Sequence, residues 1–377
     1  MTYDNFPLID HHCHGAVKKP VDTDSFARLM SESFRPAPEG TDPFLKPLGL
    51  AVRKHCAPLL DVDPLAPMSA YLEKRDAVGP EEVNRRFLKA ANVTSFLVDT
   101  GHCTDELLSP AEIESLSGVP SFEVVRIEAV METVAGQASS AADFRQKFEA
   151  LLFERCKNAV GLKSVVAYRC TFAIDQTRPS QSDVDAAFDV WRSQTPEGKS
   201  FRVEDPILVR YGLWVGADLA RPRRLPIQLH VGIGDPDVYM HACDPTHFTD
   251  FLRDMEAWEI PITLLHNYPF VREAAWLSEI FQNVYYDVGV ILHFTGASAQ
   301  RQMDEALELA PFSKHMFSSD AFGLPEFHYL GALFFRRTLA HRLESWVRDG
   351  ACTINDAEQI AKAISADNAR RIYQLEV

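Results

Sequence analysis

Short apolar, β-branched runs bounded by Pro, Gly, Asn or Asp recur along the chain, and most adjoin a longer stretch of helical period. In the second half they are residues 225–232 (LPIQLHVG), 261–268 (PITLLHNY), 283–290 (NVYYDVGV) and 314–321 (KHMFSSDA). The helical patterns THFTDFLRDMEAW and PFVREAAWLSEIF follow the first two, and a last helical block follows the fourth. Upstream lie residues 7–14 (PLIDHHCH), 94–101 (TSFLVDTG), 122–130 (FEVVRIEAV) and 161–168 (GLKSVVAY), with the helical SAADFRQKFEALLFERCKNA before the last of these. Runs that are apolar almost throughout belong in a sheet covered on both faces, and strand alternating with helix makes that sheet parallel. Eight such runs, each ending in a polar or charged residue, predict an α/β fold of the (β/α)₈ TIM-barrel type, a single domain over residues 1–377. An open doubly wound sheet is the rival, but no Gly-rich phosphate turn follows the first run, and GIGDPD after the fifth reads as a plain turn.

Two stretches exceed a minimal barrel. Residues 16–93 separate the first two runs by far more than an ordinary connection and carry helical patterns at 24–33, 43–60 and 80–91 with Pro-rich joints, which predicts a helical insertion near the barrel mouth. Residues 180–224 hold two more helical patterns joined by PEGKSFRVE.

The first run closes on Asp10, His11, His12, Cys13 and His14. Side chains alternate along a strand, so His12 and His14 are expected on one face with Asp10, and His11 and Cys13 on the other as packing or supporting residues. Two imidazoles at that spacing can reach one divalent ion, although an isolated HxH is as readily a solvated strand end. The fifth run, however, ends at His230, the sixth at His266 and the eighth at Asp320, and in a barrel those ends converge. Singly, each would be a hydrogen-bonded core histidine or a helix cap. At the ends of separate strands they form a constellation.

In this arrangement the chain resembles the amidohydrolase superfamily of metal-dependent hydrolases, in its amidohydrolase-2 branch, and is similar to the amidohydrolase module of FluG-like proteins. The likeness spans nearly the whole chain and rests on LIDHHCH, GLKSVVAYR, PIQLHVGIGDPD, LLHNYPFVREAAWL and FSSDAFGLPE. It implies His12, His14, His230 and Asp320 as metal ligands, with His266 and Lys163 joining them if two metals are bound. Lys163 has three readings: a carboxylated bridge between metals, a cationic anchor for a substrate carboxylate, or an interior residue paired with an acid. The implied cofactor is Zn²⁺, one ion or two, with Mn²⁺ or Fe²⁺ able to substitute. Such an ion brings the pKa of its water to about 7. Asp320 is then the proton acceptor and donor, and His266 polarises the carbonyl. Arg169 is a candidate for gripping a substrate carboxylate or for an ordinary surface pair. Tyr268, His293 and Glu326 fall in loops after the last three runs and are candidates for pocket contacts. The expected reaction is hydrolysis of an amide C–N bond in a small carboxylated substrate, such as a γ-glutamyl amide. Decarboxylation, isomerisation and lactone hydrolysis are the enzymatic alternatives within the superfamily, and a non-catalytic metal-binding barrel is the alternative of another class.

Composition narrows the partners. Of 377 residues 53 are acidic and 38 basic, a net charge of −15, which repels phosphate backbones and anionic lipid and leaves a small molecule as the expected partner, with a homo-oligomer as an option. Seven scattered cysteines without a CxxC pair, and no signal-like or membrane-length apolar stretch, fit a cytoplasmic protein.

Overall fold

The computed structural model describes residues 6–103, 105–196 and 198–376. Seven of the eight predicted runs are strands: β1 (Ile9–Cys13), β2 (Ser95–Asp99), β3 (Ser121–Arg126), β4 (Gly161–Ser164), β5 (Ile227–Val231), β6 (Ile262–His266) and β7 (Val284–Tyr286). They pair in sequence order, every neighbour parallel. Except for the first half of β3, all strand residues are buried, as a sheet covered on both faces requires. The third strand stops at Arg126, short of the run's end at Val130: Ile127 already opens the helix Ile127–Ala135, whose apolar residues continue the strand's composition without its period.

The eighth run is not a strand, which corrects the sequence reading, yet it bridges both sheet edges. Tyr286 N donates to Lys314 O and Met316 N to Tyr286 O on the β7 side, while His11 N donates to Phe317 O and Asp320 N to His12 O on the β1 side. Side chains break the ladder. A regular parallel register would send Ser319 N to His11 O. Instead Ser319 N donates to Asp10 Oδ1 at 2.8 Å, and His11 O accepts from Gln228 Nε2 at 2.7 Å.

β1 is irregular at the same place. Asp10 faces Phe96 and Cys13 faces Val98, so three steps on β1 match two on β2, a bulge between Asp10 and Cys13. The alternation expected for DHHCH therefore fails. Asp10 and Cys13 lie together with His328, whereas His11 and His12 both reach the buried polar network beneath the site.

Residues 16–93 carry the helices Thr23–Leu29, Pro47–Ala51, Met68–Val78 and Pro80–Ala90, with a π turn at Val52–Cys56 and a 3₁₀ turn at Ala57–Leu60. The helix Met68–Val78 was not predicted. Gly79, at φ +83°, separates it from the following helix, a conformation that glycine adopts without strain. Residues 180–224 form Gln181–Gln194 and Pro206–Ala220, begun by Ser180 and Asp205, whose side chains accept first-turn N–H groups. The turn Asn368–Ile372 and Tyr373 pack on Ile9, Leu97 and Val124 in a small core of their own. Among the described residues, no helix is long and apolar enough to cross a membrane.

Candidate metal centre

Asp320 is the hub of the site. Its backbone N is tied to His12 O and its φ of +47° lies in the left-handed region, a strained setting for a non-glycine residue at the end of the irregular eighth segment. Around its carboxylate, His12 Nε2 lies 3.1 Å and His14 Nε2 3.7 Å from Oδ1, and His266 Nδ1 lies 3.2 Å from Oδ2. His266 also has a positive φ, +69°, and its backbone N donates to Asp287 Oδ1 at 2.8 Å. The His230 ring packs 4.6 Å from that of His266 and 4.3 Å from that of Tyr168. Residues far apart in the chain thus meet because each ends a strand or the segment beside one.

Burial, reinforced by the nearby Lys163 charge, holds the His12 and His230 imidazoles well below their usual pKa; burial and His230 do the same to His266. Burial takes His14 down to about 3. All four rings are neutral at pH 7 and present lone pairs. Asp320 is pushed well above the carboxylate range by burial, with Lys163 pulling the other way. His12 Nε2, His230 Nε2 and His266 Nδ1 are buried without a hydrogen-bond partner. Such orphaned lone pairs beside a carboxylate cost free energy unless something electropositive meets them. His12, His266 and Asp320 offer ligand atoms within 4.8 Å of one another, so the donor set fits a divalent cation that accepts nitrogen and oxygen.

A second grouping, His12, His14 and Asp99, is a poorer cradle. The Asp99 carboxylate already accepts Arg126 Nη2 at 2.6 Å and Nε at 3.1 Å, and the guanidinium would repel an ion there. In Asp10, Cys13 and His328, both Asp10 oxygens are taken by Ser319 N and Oγ, at 2.8 and 2.5 Å.

The centre opens into a cavity of about 350 Å³. His14, Lys163, His230, His266 and Asp320 all line it. Lys163 is 1% exposed and has no ion-pair or hydrogen-bond partner among the described residues; burial lowers its ammonium to about 8, opposed by Asp99 and Asp320. Arg169 lines the cavity with its guanidinium 2.8 Å from Glu132. His293 lines it with neither ring nitrogen partnered, stacked 4.9 Å from Phe327. Tyr268 and Glu326 are not among the lining residues. The Tyr268 side chain is 39% exposed, and what it supplies is its carbonyl, which accepts Ile233 N. Glu326 opens the helix Pro325–Arg348 and is turned towards Met68–Val78, where it accepts Tyr71 Oη and Arg75 Nε, both at 2.7 Å.

Several contributors went unread in the sequence: Gln228, which holds His12; Asp287, which holds the His266 backbone; the Asp99–Arg126 pair; and Glu32 and Phe34, which reach the cavity from the segment between β1 and β2. Asp99 and Asp287 could have been found, since each closes an apolar run as His230 does.

Residues 116–375 match the amidohydrolase family profile. The chain belongs to the amidohydrolase family, whose members are metal-dependent. It is 26% identical to Protein fluG of Emericella nidulans over 98% of its own length, and spans about half the length of that relative, 46%. Among solved structures it is similar to a Lactobacillus casei protein carrying the provisional name metal-dependent hydrolase, with a TM-score of 0.86 and 26% identity over 99% of this chain and 96% of that one. The uronate isomerase of Thermotoga maritima shares the fold, with a TM-score of 0.62 and 16% identity over 98% and 95% of the two chains. A uronate isomerase of Bacillus halodurans is alike at 0.63 and 14% over 99% and 94%.

Proposed function

We propose that this amidohydrolase-family protein is a zinc-dependent hydrolase on a (β/α)₈ barrel whose eighth stave is irregular. Its substrate is a small carboxylated amide, such as a γ-glutamyl amide, and its site of action the cytoplasm. The observation that carries the reading is the cluster of buried, neutral imidazoles at the floor of a cavity, with the unpartnered nitrogens of His12 and His266 meeting the Asp320 carboxylate and His230 packed on His266. His12, His14, His230 and Asp320 hold the ion, with His266 beside them. A divalent cation there supplies a water whose pKa is brought to about 7 and an electrophile for the carbonyl oxygen.

The chain does the rest. Asp320 accepts the proton from the attacking water and returns it to the departing nitrogen, a role worth roughly 10²–10⁴-fold. Lys163, which has no hydrogen-bond or ion-pair partner among the described residues, anchors the substrate carboxylate, and Arg169 lines the same cavity. Neutral His293, which lines the cavity with neither ring nitrogen hydrogen-bonded among the described residues, orients the substrate's polar atoms.

Metal analysis of the purified protein together with a product screen over carboxylated amides tests this reading. One equivalent of zinc and amine release are expected. Asp320→Asn should keep the fold and lower kcat by at least about 10²-fold. Carbon dioxide release or aldose–ketose interconversion in place of amine release would replace the amidase with another superfamily reaction. A protein without stoichiometric metal would remove the hydrolase.

A further inference from the structure

Beneath the centre, at the opposite end of the strands from the cavity, a chain of buried polar groups runs to the C-terminal Tyr373. Gln228 on β5 donates through Nε2 twice, to His11 O at 2.7 Å and to Tyr373 Oη at 2.8 Å. Its amide is therefore oriented, and Oε1, 2.7 Å from His12 Nδ1, can only accept. His12 must then carry its proton on Nδ1. That leaves the lone pair on Nε2, the nitrogen aimed at Asp320.

The same phenol reaches the other side of the centre. Tyr373 Oη lies 3.0 Å from His11 Nδ1, and His11 Nε2 lies 2.9 Å from Asp287 Oδ2. Asp287 Oδ1 accepts the backbone N–H of His266 at 2.8 Å and of Gly289 at 2.7 Å. One arrangement of protons satisfies every link, with Gln228 donating to Tyr373, Tyr373 to His11 and His11 to Asp287. Each of these side chains is at least nine-tenths buried, so water does not compensate for a missing partner.

We infer that Gln228 and Tyr373 are positioning residues which set the Nδ1–H tautomer of His12 from outside the ligand set, so that a residue at the far end of the chain controls metal affinity. The inference rests on the metal-centre reading above. A metal-bound histidine is oriented by what its other nitrogen meets, and loss of such a partner typically costs about 10–100-fold in metal affinity. Here the partner is a neutral amide, itself held by a phenol.

The test measures zinc affinity by competition with a chromophoric chelator, using the full-length protein, beside the urea midpoint of the metal-free form. Gln228→Met removes the acceptor and should weaken zinc binding about 10–100-fold. Gln228→Glu keeps an acceptor for His12 Nδ1 and should stay within about threefold of wild type, a rescue that a purely packing role would not give. Tyr373→Phe, which frees Gln228 on one side only, should weaken binding severalfold with little change in the metal-free midpoint, and it carries the test if Gln228→Met does not fold. Wild-type affinity in Gln228→Met or Tyr373→Phe, or equal losses in the Met and Glu variants, overturns the inference alone. A wild-type protein that takes up no zinc overturns the metal centre and this relay together.

Discussion

Asp99 carries a buried charge one backbone carbonyl away from a metal-site histidine: its main-chain O lies 3.3 Å from His14 Nδ1, and its carboxylate is clamped by Arg126. Both charges are almost wholly buried, so the pair is better judged by what its rupture costs than by the attraction it contains. Arg126→Met should destabilise the metal-free protein by about 3–5 kcal/mol, because Asp99 is left charged and unpaired. His14 should titrate higher than about 3, since the Arg126 charge that helps to lower it is gone while Asp99 still raises it. Urea unfolding reads the first effect and histidine NMR the second; an unchanged midpoint would mean that water replaces the guanidinium. At this scale the sequence was most informative where a polar residue ended an apolar run, as at His12, His14, His230, His266 and Asp320. It was silent on Gln228 and Tyr373, because a lone polar residue in an apolar context acquires meaning only from a partner far away in the chain. Tyr268 and Glu326 were placed in the pocket from loop position alone, and position does not tell which way a side chain points.

Strand periodicity and termini decide what happens one level up. The alternation rule keeps His12 and His14 together at the site, as the structure does, but it separates Asp10 from Cys13, which the bulge between them brings to one side with His328. The missing eighth strand has a related cause: Asp10 and Gln228 intercept the hydrogen bonds that Ser319 and His11 would otherwise exchange. No propensity argument foresees a side chain replacing a ladder partner. The turn after β5 shows how tightly strand ends are coupled. Gly232 has φ +77°, and a Cβ there would lie 2.1 Å from Tyr268 O, a backbone atom that cannot rotate away. Gly232→Ala combines a left-handed alanine, about 1–2 kcal/mol, with displacement of the loop after β6. We expect at least about 2 kcal/mol lost in urea denaturation. Zinc affinity should fall with it, since His230 and His266 flank the displaced turn. Loss of stability with unaltered zinc affinity would show that the two strand ends move independently of the ligands.

Taken as a whole, the molecule stores an unusual number of neutral histidines in its interior, and this sets how it responds to acid. Burial holds His14 and His293 at about 3 and His315 at about 4, and keeps His12, His230 and His266 well below the ordinary value. In the unfolded chain each returns to about 6.5. Below that pH the unfolded state therefore binds more protons than the native one, and stability falls as pH falls, by up to about 1.4 kcal/mol per pH unit for each histidine while the pH lies between its two pKa values. Two buried acids work in the other direction: burial raises Asp320 and Glu128, so they take up protons in the native state before the unfolded one does. Burial also lowers His55 and His102, each to about 4, and raises Glu32 and Asp235, so that eight histidines stand against four raised carboxyls and the sign is unchanged. The metal-free protein should lose several kcal/mol between pH 7 and pH 5, with onset near pH 6.5. Zinc should add stability at pH 7, and the increment should shrink towards pH 5 as protons compete for the same nitrogens. Urea midpoints at pH 7, 6 and 5, with and without zinc, measure both slopes. A flat metal-free profile would mean that the interior histidines take up protons in the folded protein at the same pH as in the unfolded chain, so that burial does not keep the nitrogens of His12, His230 and His266 free for an ion as the pH falls.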